Sequence, residues 1–478
     1  MPGILTLLWL APVVAGGLVL VAGKRARAGA LGAALAILAL AATLPVGRGV
    51  AGLDELTEVG PPLLLGIRYH LALDGLALTL VWLTAFLTVV SILAHWRQDF
   101  SAGFWASFLF LEAALVGVFL ARDLALFYVF WEAVLIPMFF IIGIWGSEAR
   151  RHAAMKFFVF TFFGSVFLLL GIIALVQMHH AATGQWSWEM GVLRGPAGGV
   201  AALLTFGCLV VGVGVKVPLV PLHTWLPDAH TEAPAGGSVM LAGVLLKMGV
   251  YGLLRVALPA FPELSTDLLP WLGAVAGINI TYGAFCAMVQ SDLKRLVAYS
   301  SVAHLGFCVL GVLSGTPEGL VGGSLQLLNH GLTTGALFLI VGFLYERTHR
   351  RQLADFGALA GRAPWLTFFF GVSVMASIGL PGLNGFVGEF MSLAGMARVI
   401  PALTVVGVVG VTLAAVYALP AYQTVCWGAA GPSSASAEVT DLDLREKLLL
   451  GALAALMLWI GLFPRPILAV LAQGLGIS

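Results

Sequence analysis

Runs of about 20 apolar residues recur along this chain, separated only by short clusters of charge, Pro and Gly, and that feature decides its solvent. The hydrocarbon core of a bilayer is about 30 Å thick, a distance a helix covers in about 20 residues. Inside it, every backbone N–H and C=O must be paired within the segment or in a closed barrel. Of the 478 residues, 60% are hydrophobic and 10% charged, with a mean hydropathy of +1.01, whereas soluble domains carry roughly a quarter charged residues. A soluble globular fold is excluded, and the chain reads as an all-α polytopic membrane protein.

Helices are expected over 4–22, 28–47, 72–96, 104–121, 124–146, 153–178, 199–222, 236–258, 268–289, 293–314, 319–345, 364–397, 402–427 and 446–472. The first run lacks a positively charged leader and is longer than the apolar part of a signal peptide, so it reads as a retained span. Fourteen crossings put both termini on one side. Lys and Arg decide which: one set of alternate loops holds fourteen of them, the other seven. The positive-inside rule places the richer set in the cytoplasm and both termini outside. A net charge of +1 leaves no basic excess for nucleic acid, so the expected surroundings are lipid and other membrane subunits.

Two spans carry helix breakers where continuity is expected. GVGVKVPLVPLHTWLP holds Pro218, Pro221 and Pro227, and SIGLPGLNGFVGEF holds Gly379, Pro381, Gly382, Gly385 and Gly388; Pro218 and Pro381 are 163 residues apart. The same offset carries the fourth span onto the ninth and the sixth onto the eleventh. The halves therefore read as two five-helix repeats, and an odd number of helices makes the second enter from the opposite side. Inverted repeats with one interrupted helix each are the best pointer in a sequence to an ion pathway, although purely structural kinks are also common in membranes. The expected division is a three-helix segment over 1–100, repeats over 101–260 and 261–430, and a last helix over 431–478.

Ionisable residues sit where they cost at least a few kcal/mol unless paired or hydrated. Glu132 lies mid-span in FYVFWEAVLIPMFF, Lys216 two residues before the first helix-breaking Pro, Lys247 within VMLAGVLLKMGVYGLL, and Glu389 at the second break. The simplest pairing joins Glu132 to Lys216. Such a pair is either a static ion pair or a proton site, because desolvation loosens a lysine's proton, a nearby carboxylate holds it, and separation releases it. Glu112 is a second acid of the same site or a packing residue. His223, His230, His304 and His330 are possible relay points, since imidazole passes a proton through either nitrogen near neutrality; structural hydrogen bonding is the alternative for each. Pro227 between His223 and His230 argues against a metal site there.

Redox centres have no place in this pattern. Cys208, Cys286, Cys308 and Cys426 each lie within an apolar run without a CxxC spacing, and read as single buried thiols. Neither GxGxxG nor a Walker sequence is present.

The segment VPLVPLHTWLPDAHTEAPAGGSVMLAGVLLKMGVYGLLR, followed by SDLKRLVAYSSVAHLGF and LLNHGLTTGALFLIVGFLYERTHR, resembles the antiporter-like subunits of respiratory complex I and of multisubunit cation/proton antiporters. The similarity runs through nearly the whole chain. It is greatest to the M-type branch, the chain 4 type of mitochondria, because Glu389 in GFVGEF stands where L-type, N-type and antiporter members have Lys, and because the ending resembles the last M-type helix with no lateral helix after it. The resemblance implies that Glu132 and Lys216 form a switching pair, that Lys247 links it to the second half-channel through His304 and His330, and that Glu389 is the last protonatable station. Where the family usually reads EAPT, this chain has Glu232, Ala233, Pro234 and Ala235, one hydroxyl fewer.

Implied with it is a proton-translocating subunit of an NADH:quinone oxidoreductase in a bacterial inner membrane. No cofactor is expected on this chain; FMN, iron-sulfur clusters and quinone would belong to partner subunits, and L- and N-type subunits would lie beside it. The rival readings are a Na⁺/H⁺ antiporter subunit without redox partners, a ferredoxin- or F420-linked relative of complex I, and a structural spacer.

Overall fold

With no water at depth to bond to, the apolar runs satisfy their backbones as helices. The computed structural model describes residues 3–44, 56–429 and 439–477. Its first half contains α1 (Ile4–Val21), α2 (Ala26–Thr43), α3 (Gly75–Ala94), α4 (Ala102–Leu120), α5 (Leu124–Ala133), α6 (Leu135–Trp145), α7 (Arg150–Thr183), α8 (Val200–Lys216), α9 (Leu226–Glu232) and α10 (Ala235–Ala260). The second half contains α11 (Leu269–Met288), α12 (Leu293–Leu313), α13 (Pro317–Thr348), α14 (Pro364–Ser377), α15 (Asn384–Ala397), α16 (Pro401–Trp427), α17 (Leu444–Leu462) and α18 (Arg465–Gly474). Each of the fourteen expected runs is occupied by helix; residues 45–47 of the second, and the expected boundary at 430/431, lie outside the described residues. Among the described residues, eleven spans are long and apolar enough to cross a membrane, and α17 with α18 makes a twelfth. The shorter apolar helices α8 and α14 belong to the two spans whose sequence carries breakers. Helices α12 and α13 run through the middle, buried along nearly their whole length, whereas α1, α2 and α16 turn most of their surface outward.

Both interruptions are present. After Lys216 the chain turns through Pro218 and Pro221 before α9, which carries Pro227 in its first turn, where a missing N–H costs nothing. Between α14 and α15 the break uses Gly379 (φ 72°) and Gly382 (φ 94°), conformations that side chains resist.

The two halves share a corner. Asp123 accepts hydrogen bonds from the amides of Ala125 and Leu126 at the start of α5, and Asp292 does the same for Lys294 and Arg295 at the start of α12. Beside each, the backbone pairs with the loop after the next long helix: Leu124 N donates to Trp188 O (2.8 Å) and Leu293 N to Arg351 O (2.9 Å). The first corner adjoins Arg122, which is paired with Asp74 at the beginning of α3. The second adjoins the 231–236 segment, which is bonded to His95 at the end of α3. About 30 Å of helix lies between, so the corners occupy opposite faces, as inversion requires.

Three details depart from expectation. A hairpin, β1 (Thr57–Pro62) antiparallel to β2 (Arg68–Ala72), interrupts an otherwise helical chain; its Glu58 accepts from the amides of Leu5 (2.7 Å) and Thr6 (3.1 Å) and so caps the dipole of α1. Helix α7 extends beyond the expected 153–178, taking in His179 and His180, and His180 stacks on Trp186 at 4.0 Å. The last expected span, 446–472, bends by 80° between α17 and α18 because Pro464 and Pro466 end one helix and begin another.

Candidate functional site

Lys216 closes α8, and its side chain is fully buried with no hydrogen-bond partner for Nζ. Aromatic faces surround it: Nζ lies 5.7 Å from the centroid of Trp131 and 5.9 Å from that of Phe157, within cation–π range. Trp131 is fixed by a bond from its indole N–H to Ser165 Oγ (3.1 Å). Glu132, the next residue of α5, is the acid whose field reaches Lys216, but the two lie beyond the 4.0 Å of an ion pair and Oε1 of Glu132 has no partner. The two are thus neighbours without contact: aromatic rings hold the ammonium while the carboxylate stays half-buried on α5. Glu112 is fully buried on α4 with both oxygens unpartnered. Lys156, near the start of α7, pairs with Asp228 of α9 at 2.6 Å.

The second half holds a connected set. Lys247 is fully buried on α10 between two π-turns, Leu241–Leu245 and Leu253–Ala257, which widen the helix as π-bulges at functional sites often do. Its Nζ donates to Ala242 O at 2.5 Å and to His330 Nδ1 at 2.6 Å. The rings of His330 and His304 are 5.9 Å apart between centroids, beside a cavity of about 10 Å³ lined by Gln326, Asn329, Thr333, Thr334 and Ser377 among others, enough for about one water molecule. His304 Nδ1 then meets Glu389 Oε1 at 3.0 Å. Lys247, His330, His304 and Glu389 thus form one row of titratable groups spaced by single hydrogen bonds or one gap of water size.

Polar partners that the sequence reading did not single out hold this row. Gln326 Nε2 donates to Glu389 Oε1 (3.2 Å), Ser377 Oγ lies 3.1 Å from His304 Nε2, and Tyr417 Oη lies 3.4 Å from the same nitrogen. Asn329 donates to Asn384 O (2.7 Å) and Asn384 to Asn329 O (3.2 Å), a reciprocal clamp that pins the start of α15 to α13. The spacing of Gln326, Asn329, His330 and Thr333 on α13 was a legible signal, since i, i+3, i+4 and i+7 share one helix face. The remaining histidines diverge. His223 sits in the first break with its ring 5.2 Å from that of Tyr282, whereas His230, on α9, stacks on Phe338 at 4.5 Å with neither ring nitrogen partnered.

Comparison with known proteins gives this arrangement its context. The family described as NADH:quinone oxidoreductase/Mrp antiporter, TM, matches residues 121–414. NADH-quinone oxidoreductase subunit M of Escherichia coli (strain K12) is 41% identical over 426 residues, covering 86% of this chain and 82% of its own. The subunit M of Pseudomonas aeruginosa is 42% identical over 424 residues with the same coverage. Among solved structures, a chain of respiratory complex I from Thermus thermophilus with bound NADH superposes with a TM-score of 0.88 at 33% identity, over 99% of both chains. A chain of the Mrp complex from Dietzia sp. DQ12-45-1b shares the fold, with a TM-score of 0.86 at 20% identity over 99% of this chain and 96% of its own. The chain belongs to the NADH:quinone oxidoreductase/Mrp antiporter family of membrane subunits, in the branch of subunit M.

Proposed function

We propose that this chain is a proton-translocating membrane-arm subunit of a complex I type NADH:quinone oxidoreductase. The observation that carries the reading is the buried row Lys247, His330, His304 and Glu389, with contacts of 2.6 and 3.0 Å at its ends. Such groups are retained inside an apolar bundle at a cost of several kcal/mol, and a row of them, each able to take or give a proton, is a path. Lys216, caged by Trp131 and Phe157 with Glu132 at a distance, is the switching element: approach of the carboxylate holds the lysine's proton and its withdrawal releases it.

The chemistry of electron transfer would reside on partners carrying FMN, iron-sulfur clusters and quinone, and L- and N-type subunits would flank this one. By the positive-inside rule the Lys- and Arg-rich loops would face the cytoplasm of a bacterial inner membrane, with both termini outside. The functional units are the segment 1–100, the repeats 101–260 and 261–430, and the last helix over 431–478. A carboxylate at Glu389, where Na⁺/H⁺ antiporter members resemble one another in having Lys, favours the redox-driven machine over the antiporter.

The test is proton pumping against quinone reduction in vesicles carrying Lys216→Ala or Glu132→Gln, with assembly followed by native gel. Pumping and coupled quinone reduction should fall together in an assembled complex. Normal values of both, in both variants, would overturn the proposal.

A further inference from the structure

On the face that carries the Lys- and Arg-rich loops, a cavity of about 460 Å³ opens between the ends of α3 and α13, the start of α12 and the 231–236 segment. Two carboxylates line it. Glu232 is committed to the fold, since Ser147 Oγ and Ala149 N both donate to its Oε2 at 2.9 Å and Arg351 lies 3.5 Å from its Oε1. Glu346 is not: it takes one hydrogen bond, from Gln98 Nε2 at 2.6 Å, and keeps 27% of its side chain open.

The orientation of that bond is set by the backbone. The amide of Gly236 donates to His95 Nε2 (2.9 Å), so the ring proton sits on Nδ1 and points at Gln98 Oε1 (3.0 Å). Gln98 must then turn its NH₂ toward Glu346. Burial pushes His95 down to about 4, so it stays neutral and this polarity does not reverse. Lys294 also lines the cavity, and His230, two residues before Glu232, stands outside that lining. Lys294 spends Nζ on Thr231 O and Ala233 O, and His230 lies in the fields of both Lys294 and Lys247 with its two nitrogens unpartnered. On α13, His330, Thr334, Phe338, Gly342 and Glu346 recur every four residues, each beside the next along a ridge that winds round the helix, and Phe338 is the ring on which His230 stacks.

We propose that this cavity is the proton intake on the cationic face, with Glu346 as the loading carboxylate and His230 as the hop to the Lys247–His330 pair. The inference rests on the proton-translocating reading above. One proton from bulk water binds the Glu346 carboxylate, passes through water in the cavity to a ring nitrogen of His230, and moves to the neutral amine of Lys247, each donor returning to its former state. Around Glu346 stand His95 of α3, Arg347 and His349 at the end of α13, Lys294 of α12, and Arg445 and Glu446 of α17.

The experiment compares coupled turnover of the assembled complex in vesicles carrying Glu346→Gln, Glu346→Asp or Lys216→Ala, in mildly acid and mildly alkaline buffer on the cationic face. Glu346→Gln should slow turnover by roughly tenfold in alkaline buffer, less than a lost general acid because water still reaches the cavity, and much less in acid, where protons are plentiful. Glu346→Asp should restore most of the rate. A change in Glu346→Gln that is the same at every pH, or no change while Lys216→Ala is defective, overturns the intake and leaves the parent reading standing. Normal pumping in Lys216→Ala as well overturns both. Should Glu346→Gln fail to assemble, Glu346→Asp decides: its retracted carboxylate should show a smaller slowing confined to alkaline buffer, and a slowing independent of pH, or none, overturns the intake.

Discussion

A single methylene-sized space decides how Glu389 is held. Gly388 lets α13 approach so closely that a Cβ there would lie 2.3 Å from Gln326 Oε1 and 2.9 Å from Asn329 Nδ2. In an exposed helix Gly→Ala gains about 1 kcal/mol; here Gly388→Ala should instead cost about 1–2 kcal/mol through overpacking and displace the Gln326 bond to Glu389. Thermal unfolding and pumping measured on the assembled variant check this, and a more stable, fully active variant would contradict it. Glu132, Lys216, Lys247 and Glu389 were legible in the sequence because an ionisable residue inside an apolar run has no inexpensive explanation. Of their partners, only the polar face of α13 with Gln326 carried a signal. Ser377 and Tyr417 are unremarkable within helices, and they meet His304 only after helices distant in sequence pack, Ser377 lying 73 residues from His304. The separation of Glu132 from Lys216 was also beyond the sequence, because it depends on where Trp131 and Phe157 place their rings.

At the scale of elements, the matched corners make a paired prediction. Asp123 and Asp292 each satisfy two orphan amides at a helix start, and replacing an N-cap Asp with Ala costs about 1 kcal/mol. Asp123→Ala should lower the unfolding temperature of the assembled protein by a small amount and Asp292→Ala by more, because Asp292 also pairs with Arg351 Nε at 2.6 Å; the two effects should add in the double variant because the corners share no partner. A markedly non-additive double variant would show the corners to be coupled. Spans and breaks were readable from apolar periodicity, Pro and Gly. The hairpin was not, since Thr57–Pro62 contains two prolines and a glycine, a composition read as loop. The bend before α18 was not either, because apolar residues on both sides of Pro464 kept the hydropathy of one continuous span.

At the scale of the whole molecule, one ionic knot ties distant parts together on the face opposite the cationic loops. Asp74, at the start of α3, pairs with Arg122 and with Arg255 of α10, and Arg255 also donates to Gly474 O of α18 at 3.0 Å. Burial alone pushes the Asp74 carboxyl up, but Arg255, Arg122 and the Ala77 amide outweigh it and hold the group below the ordinary carboxylate value. A lowered acid stabilises the fold above its unfolded value, about 4, and that contribution disappears as pH falls through the lowered one. Asp74→Asn should therefore cost about 3 kcal/mol near neutrality, with the difference from the parent shrinking in acid; thermal unfolding against pH is the measurement, and a constant difference would contradict it. Gly474 closes on the same place, where a Cβ would meet the backbone of Gly75 and Leu76 at 2.4–2.8 Å. A chain is made from its N-terminus at a pace that lets early segments settle first. The start of α3 therefore lacks this partner until α18, some four hundred residues further on, has been made, so that docking of this one short helix closes a knot whose first strand was laid down long before.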